Sequence, residues 1–205
     1  MRLRALAFVA GLAALEAAIL FPADSIEAHV VSHALVAVVA APLLVLSRPL
    51  GVALRPLSPG RRRRAVGALR RSPLGSAAAP WAAWGAFIAA HWAALIVAGT
   101  QHHLTGLPHL GLHLLLLVVG VLFWLPVLGR GQVMPRLRGP AASLYLFLAV
   151  PAADLTVVWL MARGETTAVG VMLAAMAPLG IAALAVSWSW ILREERLARA
   201  GQAAP

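Results

Sequence analysis

Four imidazoles stand in this chain as two pairs of the same spacing. His29 and His33 open the run "HVVSHALVAVVAAPLLVLSRPL", and His109 and His113 open "HLGLHLLLLVVGVLFWLPVLG". Side chains four residues apart share one face of a helix. Each pair can therefore turn two ring nitrogens toward a single centre, the spacing used by two-histidine metal sites on helices. One such pair could be packing. Two, each at the start of a long apolar run, point to a bound metal or haem. Met172 and Met176 repeat the spacing with thioethers, which favour Cu(I), although methionines in an apolar helix are most often packing residues.

The remaining polar residues are candidates of a weaker kind. His91 lies alone in an apolar run, where a histidine is either a ligand or a hydrogen-bond partner between helices. His102 and His103, in "TQHHLTGLP", read as exposed loop residues rather than ligands. Glu16 and Asp154 interrupt apolar runs, and ionisable groups in such places are costly and normally face the bundle interior. They are expected either to hold an imidazole tautomer or to handle protons. Imidazole suits copper, zinc, iron and nickel, and added thioether tilts the choice to Cu(I). A b-type haem held by histidines from two helices is the rival. The chain has no cysteine, which excludes disulfides, thiolate metal sites and iron–sulfur clusters.

The elements that must position these residues are set by composition. Of 205 residues, 61% are hydrophobic and 12% charged. Ordinary soluble domains are about half apolar and about a quarter charged. The fold class expected is an all-α integral membrane protein embedded in the lipid bilayer. All 17 basic residues are arginine, a bias common in GC-rich bacterial genomes. The high isoelectric point does not signal nucleic acid, because the arginines are not interleaved with aromatic residues; no nucleic-acid partner is expected.

A spanning helix needs about 20 mostly apolar residues. Six such stretches stand out, at roughly 5–21, 29–46, 77–99, 109–128, 141–161 and 168–191, forming a single transmembrane helical domain over 1–205 with a basic loop at 47–76. The first stretch follows Arg2 and Arg4 as a signal peptide does, but Glu16 interrupts it and "FPADSIEA" is a poor cleavage site. It is read as a retained helix. Every arginine except Arg163 then falls on one side of the membrane. The positive-inside rule makes that side, with both termini, cytoplasmic. All seven histidines fall in or above the outer half. The prolines in "AAPLLVLSRP" and "FWLPVLG" are expected to end or kink their helices. Trp124, Trp188 and Trp190 are expected as interface anchors. The Arg61–Arg64 run reads as a solvated or headgroup-facing loop.

At these same segments the sequence resembles the cytochrome c oxidase assembly factor CtaG family, of the branch linked to caa3-type oxidases. The resemblance lies in residues 29–50, with a histidine pair running into "APLLVLSRP", and in residues 109–129, with a second pair followed by Leu122, Phe123, Trp124 and Pro126. The segment "LYLFLAVPAADL" looks like the family's next span. Order and spacing agree over about 29–160. This chain departs from the family pattern at His91–Trp92, where the two residue types are reversed, and at Leu112, where a glutamate is common. It also lacks one span of longer members.

The resemblance implies a non-enzymatic role: helping copper reach the haem–copper centre of the oxidase, with an oxidase subunit as partner. It implies an outward-facing copper site, with Cu(I) as the expected state, in the bacterial plasma membrane. His29, His33, His109 and His113 form its core, His91, Met172 and Met176 complete or relay it, and Glu16 or Asp154 orients the rings. Two other classes remain beside it: a haem-binding electron-transfer protein, and a copper or proton-coupled transporter. The transporter ranks lower, since the inner halves of the spans are nearly bare of polar groups. A zinc hydrolase using His91 and Glu16 ranks last.

Overall fold

The computed structural model describes residues 2–20, 25–48, 51–52, 54–100, 106–131 and 133–202. Among them there is helix and no strand. Six helical stretches are long and apolar enough to cross a membrane: Leu3–Leu20, Ile26–Ser47, Ala79–Val97, Leu107–Leu128, Pro140–Ala162 and Thr166–Ala200. In the apolar phase helices satisfy their own backbone groups, so this is the architecture such a composition dictates. The protein is a multi-pass membrane protein.

The first crossing is α1 (Arg2–Leu20). The second joins α2 (Ile26–Ala34), a π-helical turn (Leu35–Ala40) and α3 (Ala41–Ser47). A basic helix follows, α4 (Pro59–Arg71). Then come α5 (Ala79–Thr100) and α6 (Leu107–Leu128). The fifth crossing is α7 (Pro140–Asp154) with α8 (Thr156–Ala162), broken at Leu155. The last helix, α9 (Thr166–Gln202), has 37 residues. At 1.5 Å per residue it is about 55 Å long and overreaches a ~30 Å hydrocarbon core. It continues past 191, where the sequence pattern places the end of the span.

The second crossing is the best buried and lies at the centre. The helix α1 packs along α3 and the π turn, α6 packs along the same stretch and along α5, and α9 packs on α2 and α7. A single apolar cluster joins Val30, Ala37 and Val45 of the second crossing to Phe123 of α6, Tyr145 of α7 and Leu179 of α9. By contrast α1 is peripheral, with a mostly exposed surface.

The helix of the second crossing ends at Ser47, just before Pro49, but it does not end at Pro42, which lies within it. The π turn explains how. The Ala41 N–H reaches back five residues to the Val36 carbonyl. In that register the donor for the Ala37 carbonyl belongs to residue 42, which is proline and has none. The Trp124 indole N–H supplies the missing hydrogen, donating to the Ala37 carbonyl at 3.1 Å. Trp124 is 2% exposed. It is therefore a buried tie between the second crossing and α6, and its expected role as an interface anchor is corrected. An indole is apolar in bulk with one donor, which suits it to a lone carbonyl inside a bundle. Trp92 donates to the Ala152 carbonyl at 3.0 Å, close to the α7–α8 break. Trp84 donates to the Tyr145 carbonyl at 3.1 Å, and the Tyr145 hydroxyl donates to the Phe123 carbonyl at 3.0 Å.

The Arg61–Arg64 run, expected as loop, lies on α4, which buries no residue. Ser58 caps that helix, its hydroxyl accepting from the Arg61 N–H at 3.5 Å, with proline at the first turn where no donor is required.

Candidate metal centre

The face of α6 that carries His109 and His113 continues as Gly120 and Trp124, at i, i+4, i+11 and i+15. On the second crossing the facing stripe is His29, His33, Ala37 and Ala41. The two stripes close on each other where Gly120 has no side chain. A Cβ there would lie 3.0 Å from the Ala41 Cβ and 3.3 Å from the Ala37 carbonyl oxygen. This close approach, one turn from the Trp124 tie, brings the histidine-bearing ends of the two helices face to face.

The four imidazoles form one cluster. Ring centroids are 5.8 Å apart for His29 and His33, 5.4 Å for His29 and His109, and 6.4 Å for His33 and His109. They are 5.3 Å apart for His33 and His113, and 4.3 Å for His109 and His113. One ring nitrogen each from His33, His109 and His113 lies within 4.8 Å of the others. His29, His33 and His113 are buried, at 1%, 4% and 1% exposure. His109 is half-buried and forms the open side.

The ring tautomers follow from their partners. The Ser25 carbonyl can only accept, so His29 Nδ1, 3.0 Å away, must carry the hydrogen. Its Nε2 keeps a lone pair. The Ser32 hydroxyl donates to the His29 carbonyl at 3.0 Å. Its oxygen is then free to accept from His113 Nε2–H, 3.4 Å away, which leaves the lone pair on His113 Nδ1. The nitrogens without partners include the two lone-pair atoms so assigned, His29 Nε2 and His113 Nδ1, together with His33 Nε2 and His109 Nε2. Buried polar atoms are rarely unsatisfied. Four lone pairs of neutral imidazole on neighbouring rings, with the opposite N–H of His29 and His113 each held by an oxygen, make the donor set that a borderline or soft cation wants.

The other candidates fall elsewhere. His91 is buried and stacks on Phe87, centroids 6.3 Å apart and planes 16° apart. It lies near enough to His33 to interact with it electrostatically, and its Nε2 has no partner. It adjoins the four-ring cluster without joining it. Met172 and Met176 are 1% and 2% exposed, within the main apolar cluster, and act there as packing residues. Glu16 is exposed on the outer side of α1. Asp154 is half-buried with Oδ1 unpartnered. Among the described residues neither carboxylate is hydrogen-bonded to an imidazole; the ring partners are Ser25 and Ser32. His102 and His103 lie outside the described residues.

Ser25 and Ser32 are the site's supporting residues that motif reading passed over. A signal was present: Ser32 follows His29 by three and shares its face, and Ser25 precedes His29 by four.

No curated protein and no solved structure matches this chain. The model of one protein family matches residues 1–194, nearly its whole length and both histidine pairs with it. The chain therefore belongs to the cytochrome c oxidase caa3 assembly factor (Caa3_CtaG) family.

Proposed function

We propose that this protein binds copper as Cu(I) through His33, His109 and His113, with His29 as a fourth donor, and passes it to a subunit of cytochrome c oxidase during assembly. Copper is cargo in this reading, so no reaction is catalysed. The carrying observation is that one ring nitrogen each of His33, His109 and His113 lies within 4.8 Å of the others, on rings that each hold a buried nitrogen without a partner. Family membership supplies the oxidase. Neutral imidazoles bind without adding charge inside a bundle, and they release more readily than thiolates. The half-buried His109 offers the way in and out.

The arginine distribution supports the orientation. Arg48 and Arg130 stand at the opposite ends of their crossings from the histidines. By the positive-inside rule the termini are cytoplasmic and the copper site faces the outside of the bacterial plasma membrane.

The packing speaks against haem. His29–His33 and His33–His113 meet edge to face. The room a macrocycle needs between two axial imidazoles is filled by the other two rings.

The test is copper stoichiometry of the detergent-purified protein under reducing conditions, with an absorption spectrum of the same sample. About one copper per chain, lost in His33→Ala with His113→Ala, and no Soret band is the expected result. A Soret band overturns the copper reading in favour of haem, and copper retained in the double variant overturns the site.

A further inference from the structure

At the other end of the bundle, α1, α3 and α6 leave a groove of about 550 Å³ between them, a size typical of ligand-binding cavities. Its walls include Phe8 and Leu12 of α1, Leu44 of α3, and Leu117, Val121 and Leu125 of α6. They are aliphatic and aromatic along its length. The groove ends at Arg48 and Arg130.

Arg48 is unusual in backbone and side chain alike. It follows α3 in the left-handed region, at φ 62° and ψ 53°, the only described non-glycine residue with positive φ. Such a conformation costs about 1 kcal/mol or more. Its Nη1 is buried without a partner. The like charges of Arg130 and Arg4 act on it from the end of α6 and the start of α1. Among the described residues no carboxylate pairs with Arg4, Arg48 or Arg130. Arg48 and Arg130 thus stand, with no acid among the described residues to balance them, at the mouth of an apolar channel that opens where lipid would lie. An anionic headgroup joined to a hydrocarbon chain complements both halves.

We propose that this groove is a binding site for one anionic phospholipid, an acyl chain lying between α1, α3 and α6 and the headgroup phosphate on Arg48 and Arg130. The lipid neutralises the arginines and fills the space left between α1 and the rest of the bundle. Basic pockets between membrane helices on the cytoplasmic side bind such headgroups by the same logic.

The test uses full-length protein, delipidated in detergent and offered phosphatidylglycerol, phosphatidylcholine or inorganic phosphate. Bound lipid is read by native mass spectrometry and by the thermal midpoint. Phosphatidylglycerol is expected to bind at about one per chain and raise the midpoint. The double variant Arg48→Gln with Arg130→Gln is expected to bind it about tenfold more weakly or worse. The control Arg62→Gln with Arg63→Gln, which removes equal charge from α4, keeps wild-type binding. Val121→Trp, which fills the groove and leaves the arginines, also loses the lipid; it decides the matter should the arginine variant fail to fold. Equal loss in the α4 control, equal binding of phosphatidylcholine, or the same stabilisation by phosphate alone overturns the proposal.

Discussion

Trp124 stands in for the amide hydrogen that Pro42 lacks. Its indole N–H, 3.1 Å from the Ala37 carbonyl, completes a π turn in which that carbonyl has no other main-chain donor in register. The two family segments are thus linked by one hydrogen bond. The proline in one creates the vacancy, and the tryptophan in the other fills it.

Trp124→Phe keeps most of the ring and removes the donor. It is expected to cost about 1–3 kcal/mol, the penalty of an unsatisfied buried carbonyl. In a Pro42→Ala background residue 42 regains its N–H, and the same substitution should cost distinctly less. Thermal or denaturant unfolding of the four proteins closes the cycle. Equal losses in both backgrounds refute the link.

Gly120→Leu places a side chain against the Ala41 Cβ and the Ala37 carbonyl, neither of which can swing aside. Overpacking of this kind costs about 1–3 kcal/mol. Because the same contact holds the histidine pairs face to face, copper content should fall with stability. A variant that is destabilised yet fully loaded would show that the helix contact and the metal centre are independent.

Ser32→Ala removes the acceptor that fixes His113 with its lone pair on Nδ1. Loss of such a partner typically weakens metal affinity about 10–100-fold. Stoichiometry at saturating copper should stay at the wild-type value while affinity, measured by competition with a chromophoric Cu(I) chelator, drops. Unchanged affinity would mean that the serine hydroxyl does not set the ring.

Met172→Leu with Met176→Leu exchanges thioethers for hydrocarbon of similar volume in an apolar surrounding. Stability should change by less than about 1.5 kcal/mol per site, and copper per chain should not change. Copper loss in this variant would restore the methionines to the ligand set that the spacing alone suggests.

Much of this arrangement can be read from residue order. Apolar runs of bilayer length mark the six crossings, because hydropathy over some 20 residues outweighs local detail. The i, i+4 spacing puts His29 with His33 and His109 with His113 whatever the neighbours do. Where spacing misleads, a competing environment wins. Met172 and Met176 share a face just as the histidines do, yet that face packs into the apolar core. Glu16 lies on the side of α1 turned away from the bundle, which one helix's sequence cannot reveal when its apolar residues surround it on all sides. Trp124 looks like an interface residue by type and becomes a buried donor only because Ala37, far along the chain, has lost its own. Ser25 and Ser32 were within reach, each on the same face as a histidine, but serine is too common in membrane helices to draw notice without the rings beside it.

The donors of the cluster come from two helices separated by a whole hairpin of chain. As the protein is made, His29 and His33 enter the membrane before α6 has been synthesised. The early chain holds only half of the donor set, which grips an ion weakly. If copper is the cargo, as proposed, tight loading has to wait until the fourth crossing is inserted and docked through Gly120 and Trp124. Acquisition would then be ordered in time after insertion, and a stalled or truncated chain would be denied the ability to sequester the ion.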